Sequence, residues 1–145
     1  LNKTRFSTEF FAQHSKNPFR SFLQRDVIGF GTRISLDDST KLGFGVLTED
    51  EEDLQGIETD TERLSMYFTD KYELAENIDL LLTAYYQPSL DETDDYKASI
   101  LTGVNFTVNE NVSISLQFSS FYDSIPPEFA DKQDEQISTE FSYSF

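Results

Sequence analysis

Apolar and polar side chains alternate with a period of two in eight segments of this chain. Successive side chains of a strand point to opposite faces, so such a segment forms a strand with one apolar and one polar face. No helix-period stripes interrupt the pattern, and the connections are too short for crossover helices. The sequence therefore predicts an all-β, antiparallel up-and-down meander β-barrel of about eight strands. The predicted strands are residues 4–14, 26–36, 42–47, 63–72, 79–86, 97–106, 112–122 and 136–145.

The predicted connections alternate strictly between short and long. Residues 37–40, 75–77 and 109–111 are short and rich in Asp, Asn and Glu, which suit tight hairpins. Residues 15–24, 49–61, 88–95 and 123–133 are longer. A transmembrane barrel has short turns on the periplasmic side and long loops outside. The pattern therefore favours a membrane barrel whose two chain ends lie on the short-turn side.

The two faces of the predicted strands differ in chemical character. One carries Phe, Leu, Ile, Val and Tyr, whereas the other carries Ser, Thr, Gly, Gln and Asn. A soluble barrel would hold its apolar face inside and would carry more Lys and Glu outside. We therefore expect the apolar face to contact lipid and the polar face to line a narrow lumen. The charges expected to pair in that lumen are Glu9, Arg33, Arg63, Lys97 and Glu140.

Aromatic residues collect toward the predicted strand ends, where a membrane barrel has its interface girdles. One residue argues against lipid contact: Asp70 falls on the apolar face between Phe68 and Tyr72, which requires an interfacial site or a local bulge. The tyrosines of the predicted girdles are Tyr72, Tyr86, Tyr96, Tyr122 and Tyr143.

Charge and composition exclude several classes of protein. The net charge of −16, with 27 acidic and 11 basic residues, argues against a nucleic-acid partner. There is no cysteine for a disulfide, a thiolate metal site or a nucleophile, and no apolar run is long enough for a transmembrane helix. The 145 residues suit a single domain. Because the chain starts with Leu1 and shows no leader, we expect a processed or trimmed product.

The last predicted strand ends in alternating aromatics up to a terminal Phe. This pattern resembles the C-terminal signal strand that outer-membrane proteins present to the barrel-assembly machinery. The resemblance implies an assembly signal formed by Phe141, Tyr143 and Phe145.

A longer stretch of the C-terminal region resembles one family. The segments 121–127 (FYDSIPP), 131–134 (DKQD) and 142–145 (SYSF) are similar to the ending of the YdiY-like, salt-induced outer-membrane proteins. That family has no characterised function and is expected to form barrels in the bacterial outer membrane. Where its members often have a Gly after the two prolines, this chain has Glu128 and Phe129. Members tend to be longer at the N-terminus, which leaves open a barrel of ten or twelve strands.

The acidic segment Glu49, Asp50, Glu51, Glu52 and Asp53 is a candidate cation loop. Dense carboxylates suit divalent cations, including those that bridge lipopolysaccharide, but the spacing matches no EF-hand and a solvated loop is the simpler interpretation. We expect no cofactor. Catalysis is not expected either, because His14 is the single histidine and no serine motif surrounds it.

The sequence thus predicts an outer-membrane barrel with a structural, protective or narrow-pore role, in contact with lipid and lipopolysaccharide. Two alternatives remain open. A soluble calycin-like barrel would hold an apolar ligand against an inward aromatic face. A larger outer-membrane channel would contain this chain as its C-terminal part, leaving the first strand unpaired.

Overall fold

The computed structural model describes residues 5–17, 22–128 and 130–143. Each strand in these ranges pairs antiparallel with the next, in one sheet whose order follows the chain. The predicted all-β antiparallel meander of eight strands is therefore confirmed. No helix in the described ranges has the length and apolar character needed to cross a membrane. The strands are β1 (Arg5–Asn17), β2 (Phe22–Ser35), β3 (Lys41–Asp53), β4 (Glu58–Ala75), β5 (Ile78–Pro88), β6 (Tyr96–Asn109), β7 (Val112–Asp123) and β8 (Gln133–Tyr143).

The register of the ladders keeps each face uniform across neighbouring strands. Phe30 pairs with Val46, which pairs with Leu64 on the next strand. One residue along, Gly31 pairs with Gly45 on the opposite face. A slip of one residue would exchange the two faces, so the alternation in the sequence disfavours every register that is displaced by an odd number of residues.

The predicted loop 49–61 is wrong. β3 runs to Asp53 and β4 begins at Glu58, so a turn of residues 54–57 is all that joins them. Asp53 closes the turn by accepting hydrogen bonds from the backbone amides of Gln55 (2.8 Å) and Ile57 (2.9 Å), and Gly56 has a positive φ of 79°. The acidic segment of β3 is part of the strand because its alternate side chains, Glu49 and Glu51, form ion pairs with cations on the inner face.

The predicted loop 15–24 is also too long, because β1 runs to Asn17 and β2 begins at Phe22. Strict alternation of long and short connections is therefore wrong in the first half of the chain, where residues 36–40 and 54–57 form connections of similar length. The second half retains it, with turns 76–77 and 110–111 and longer connections 89–95 and 124–132. β1 begins and β8 ends at the short-turn edge, opposite Ser35 and Val112 respectively.

The sheet curls strongly about its polar face. Lys97 on β6 contacts Glu49 on β3 at 2.6 Å. In a flat sheet these strands would lie about 14 Å apart, which is three interstrand spacings. The contact therefore requires that the inner faces of β3 and β6 turn toward each other.

The two edge strands are the most exposed part of the sheet. β8 is exposed along its whole length, and β1 is exposed at nearly every position. The seven ladders join consecutive strands, and within the described ranges none joins β8 to β1. Over these ranges the meander is thus a curled sheet in which β1 and β8 each have a ladder to one neighbour.

Burial is inverted relative to a water-soluble domain. Among the described residues, the most buried hydrophobic side chains are Val27 and Leu47, whereas the buried polar ones are more numerous. A soluble domain of this size normally buries its aliphatic and aromatic residues. The buried polar residues are Glu49, Arg63, Ser65, Asp70 and Ser89.

Candidate functional site: a charged interior behind an exposed apolar face

The outer face of the sheet is apolar and exposed. Exposure is highest on the edge strands, reaching 81% for Phe10 and 71% for Ile137. The same face continues over the inner strands, where large side chains remain uncovered. Its exposed members include Phe6, Ile28, Phe30, Phe44, Ile100, Leu116, Phe118 and Phe141.

Tyrosines flank this apolar face at both ends. At the long-loop end, the ring of Tyr96 lies 5.6 Å from that of Tyr86 and 5.5 Å from that of Tyr122, so three neighbouring strands carry a contiguous aromatic row. At the short-turn end, Tyr72 and Tyr143 are both exposed. The predicted positions of these tyrosines near strand ends are confirmed.

At the long-loop end of the apolar face, the outer side of β1 to β4 becomes charged from one row of paired residues to the next. Ile28 pairs with Thr48, and the next outward row joins His14, Asp26, Asp50 and Asp60. His14 Nδ1 lies 2.6 Å from Asp26 Oδ1. Strands β2 to β4 therefore continue past the apolar face as a charged rim.

An ion-pair cluster occupies the inner face at the long-loop end, and Glu49 is its centre. Glu49 is 2% exposed. Its carboxylate accepts hydrogen bonds from Arg25 Nε at 2.7 Å, Lys97 Nζ at 2.6 Å and Arg63 Nε at 3.3 Å. Three cations from three different strands thus converge on one buried carboxylate.

Further carboxylates balance the cations around Glu49. Arg63 binds Asp95 in a bidentate pair with distances of 3.0 and 2.9 Å. Lys97 also contacts Glu51 at 3.1 Å and Asp123 at 3.5 Å. A buried charge is tolerated only when it is paired and hydrogen-bonded. We define these seven residues as the Glu49 cluster: Arg25, Glu49, Glu51, Arg63, Asp95, Lys97 and Asp123.

A second polar group lies deeper along the inner face. Arg33 forms an ion pair with Glu9, and its Nε donates to the Tyr67 hydroxyl at 2.8 Å. That hydroxyl donates to Glu9 at 2.7 Å, which links β4 to β1. The ring of Tyr85 lies 5.4 Å from that of Tyr67. This triangle is a second tie between strands that are not neighbours in the sheet.

Glycines on the inner face make room for aromatic rings. A Cβ built on Gly43 would lie 1.9 Å from the Tyr67 ring, and one on Gly29 would lie 2.3 Å from the Phe11 ring. These glycines are therefore required by the close approach of the rings. The predicted polar face, with its Ser and Gly, thus also holds aromatic side chains that occupy the space the glycines leave.

An open cavity of ≈ 1190 Å³ runs along the inner face. Tyr67, Tyr85 and Arg33 line one part of it, and Lys97 and Asp123 line another. Residues of β1 and of the connection before β8 also line it, so the cavity spans the concave side of the sheet from its first strand to its last. Throughout the described ranges, no buried side-chain nitrogen or oxygen lacks a hydrogen-bond partner.

The structure brings together four of the five predicted lumen charges in two groups. Arg63 and Lys97 belong to the Glu49 cluster, and Glu9 pairs with Arg33. Glu140 stays apart on exposed β8, where it accepts a hydrogen bond from Ser142 at 3.2 Å. Their function in a lumen stays a prediction.

Two of the three residues of the predicted assembly signal lie on β8. Phe141 and Tyr143 are exposed on its outer side. Phe145 lies outside the described residues, as does Phe129 in the preceding connection. The signal itself stays a prediction.

The candidate cation residues lie in β3 rather than in a loop. Because they alternate along a strand, Glu49 and Glu51 point inward to cations, while Asp50 faces outward and is exposed. Neighbouring carboxylates therefore point apart. In the part of the chain that the structure describes, no group of three or more His, Asp or Glu side chains is arranged to hold a metal ion.

Asp70 is buried although it lies in the outward register of β4. It is 5% exposed and accepts a hydrogen bond from the Thr40 hydroxyl at 3.1 Å and from the Lys71 amide at 2.9 Å. Thr40 belongs to the turn 36–40, so Asp70 sits at the short-turn end of the apolar face. The bulge of β4 lies farther on, between Glu73 and Ala75.

The turn 36–40 is organised by Asp37. Its Oδ1 accepts hydrogen bonds from the amides of Ser39 at 2.8 Å and Thr40 at 2.6 Å. These bonds stabilise the charged form, Thr40 being the larger contributor, and they lower the pKa of the Asp37 carboxyl below its usual value.

Sequence reasoning missed five members of the Glu49 cluster as lumen residues. Arg25 shares the parity of Val27 and Arg33, and Glu49 and Glu51 share that of Leu47. If the predicted strands 26–36 and 42–47 are lengthened and the alternation is continued, Arg25, Glu49 and Glu51 fall on the inner face. Asp95 and Asp123 lie at strand ends, where alternation carries less information.

Comparison with known proteins places the chain in a family. The family described as "Protein of unknown function, DUF481" matches residues 1–145, the whole of this sequence. No curated protein and no solved structure matches the chain. The chain therefore belongs to the DUF481 family of proteins of unknown function.

Proposed function

We propose that the protein is an integral β-barrel protein of the bacterial outer membrane, with a structural, protective or narrow-pore role. One observation carries the proposal: the apolar face of the sheet is exposed, while the opposite face buries paired charges. In water this arrangement would expose a contiguous face of large aromatic and aliphatic side chains to solvent, which is unfavourable. In lipid it satisfies both faces, because the hydrocarbon covers the rings.

The dimensions of the apolar face support a membrane location. On β6 it extends from Tyr96 to Phe106, and ten residues of a strand tilted by roughly 40° rise about 25 Å. This matches the apolar band of outer-membrane barrels. The tyrosine rows then lie at the two interfaces, where such residues are enriched.

The orientation of the aromatic residues argues against the soluble calycin-like alternative. That alternative requires an inward aromatic face around an apolar ligand. Here Phe30, Phe44 and Phe118 are exposed on the outer face, and the inner face is polar at both ion-pair groups.

The proposed partners follow from the location. Outer-membrane lipid and lipopolysaccharide would surround the apolar face. The terminal aromatic residues of β8 would present the chain to the barrel-assembly machinery, in line with the resemblance to the YdiY-like proteins. Membership of the DUF481 family is compatible with that narrower grouping.

Single cysteines test the proposal directly, because the chain has none of its own. Leu116→Cys places a bimane label on the outer face, and Ser115→Cys places one on the inner face of the same strand. In lipid vesicles we expect nitroxide-labelled lipids to quench the label at position 116 strongly and the label at position 115 weakly. Asp50→Cys marks the charged rim and should react with a water-soluble maleimide.

Equal quenching at positions 115 and 116 would contradict the proposal. A folded monomer in plain buffer would also contradict it, because an exposed apolar face of this size must be in contact with lipid or detergent. Heat-modifiable gel mobility of the refolded protein is the accompanying check that a membrane barrel has formed.

The described residues contain no ladder between β8 and β1, which favours a second candidate, a larger outer-membrane channel that contains this sheet. Unpaired strand edges are not tolerated in hydrocarbon, since each free backbone group costs several kcal/mol. In the described ranges, β1 has a ladder to β2 alone and β8 to β7 alone. Further strands between them would complete the barrel and enclose the cavity.

A further inference from the structure

The Glu49 cluster divides into a buried part and a part that faces the cavity. The side chains of Glu49 and Arg63 are 3–4% exposed. Those of Arg25, Glu51, Lys97 and Asp123 are 14–19% exposed, and these four line the cavity. Glu49 therefore holds Arg25 and Lys97 from behind, and Lys97 in turn holds Glu51 and Asp123.

The four cavity-facing charges come from four different strands. Arg25 lies on β2, Glu51 on β3, Lys97 on β6 and Asp123 on β7. Lys97 contacts both Glu51 and Asp123, which joins the two sides of the inner face. Anything that moves along the cavity at this level passes within reach of fixed charges of both signs.

Charge at this level is nearly balanced, which is unusual for this chain. The cluster has three positive and four negative side chains, and so one net negative charge, whereas the whole chain carries −16. In such a balanced group, removal of one acid abolishes the net charge, and removal of one base doubles it. Charged side chains around a narrow passage determine which ions cross it.

We propose that the Glu49 cluster is the charge-selective constriction of a pathway for small monovalent ions along the inner face. This inference rests on the proposed membrane barrel and names what its lumen conducts. Lys97 supplies the central cation of the constriction, and Glu49 fixes Lys97 in position. Ions of either sign enter the cavity, and the net charge of the cluster determines the ratio of cation to anion permeability.

The test is the reversal potential of the refolded full chain in planar bilayers under a potassium chloride gradient. Lys97→Gln leaves two net negative charges and should shift selectivity several-fold toward potassium. Glu49→Gln leaves none and should shift it toward chloride. Asp50→Asn, an outward neighbour on the same strand, is the matched control and should behave as wild type.

Because Glu49→Gln removes the buried carboxylate that three cations share and so also disturbs their packing, Asp123→Asn is the second variant for the negative side. Asp123 is at the rim of the cluster and contacts Lys97 at 3.5 Å, so its loss should preserve the fold and shift selectivity in the same direction as Glu49→Gln. A purely structural cluster would not give shifts of opposite sign for Lys97 and the acids.

Failure of this inference is distinguishable from failure of the proposed function. If the label at position 116 is quenched by lipid but the three charge variants give equal reversal potentials, the constriction is overturned and the membrane barrel stands. Bilayers that stay non-conducting with every protein overturn the ion pathway in the same way. If position 116 shows no lipid contact, the proposed function itself has failed.

Discussion

At the scale of single residues, the packing of the inner face depends on glycines whose missing Cβ leaves room for an aromatic ring. Gly43 lies under the Tyr67 ring, and the Tyr67 hydroxyl ties β4 to Glu9 on β1. Gly103 on β6 offers a contrast, because a Cβ there would lie 4.0 Å from Gln117, in ordinary contact. Two glycines in the same kind of strand thus have different structural importance.

We predict that Gly43→Ala lowers the free energy of unfolding by about 1–3 kcal/mol, the usual cost of overpacking, because the Tyr67 ring must move. Gly103→Ala should have little effect or stabilise the strand by less than about 1 kcal/mol. Urea titrations in lipid vesicles, followed by gel mobility without boiling, measure both. Equal losses for the two variants would contradict the assigned ring contact.

At the scale of elements, connections are short where a side chain closes them. Asp53 closes the turn 54–57, and Asp37 closes the turn 36–40 in the same way, by accepting backbone amides two to four residues ahead. Such Asx-type contacts replace hydrogen bonds that a longer loop would take from water. The acidic strand β3 reaches the turn 54–57 because cations also neutralise Glu49 and Glu51 on its inner face.

The turn 36–40 should respond to acid. The pKa of Asp37 is lower in the folded state than in the unfolded chain, so its contribution to stability is present above the unfolded pKa and is lost as the pH falls through the folded one. We expect the amide signals of Ser39 and Thr40 to shift together in an NMR titration below the usual range of Asp. Asp37→Asn should abolish the shift. A midpoint at or above the usual Asp value would contradict the hydrogen-bond geometry.

At the scale of the whole molecule, polar ties curl the sheet, and in the described ranges β1 and β8 each pair with one strand. Lys97–Glu49 joins β3 to β6, and Tyr67–Glu9 joins β1 to β4. These ties set the curvature from the concave side, whereas closure depends on what pairs with β1 and β8. A barrel of eight strands and a larger barrel share the interior and differ at the edges.

If the sheet belongs to a larger barrel, the refolded chain alone should associate edge to edge in detergent. We then expect native mass spectrometry to detect two or more chains per particle, with slow hydrogen exchange at the β1 and β8 amides only in that species. Amides of β4, which is paired on both sides, serve as the internal standard. A monomer with slow exchange at both edges would instead indicate direct closure of eight strands.

The sequence by itself determined the strand count, the meander order and the chemistry of each face. A period of two is a local property: the alternation within one strand assigns Ile100 and Ser99 to opposite faces, whatever the neighbouring strands are. It also identified Arg33, Arg63 and Lys97 as inward charges. It misjudged the acidic segment from Glu49, because a run of carboxylates looks like a solvated loop when its counter-charges are distant in the chain.

The tertiary structure alone decided how those charges meet. Glu49 is 24 residues from Arg25 and 48 from Lys97, and only the curl of the sheet brings their side chains together. It also decided that Asp70 is covered by Thr40 and that Tyr67 lies over Gly43. Alternation tells which face a side chain occupies, but contacts across a curved face depend on curvature and register between distant strands, and local periodicity does not encode them.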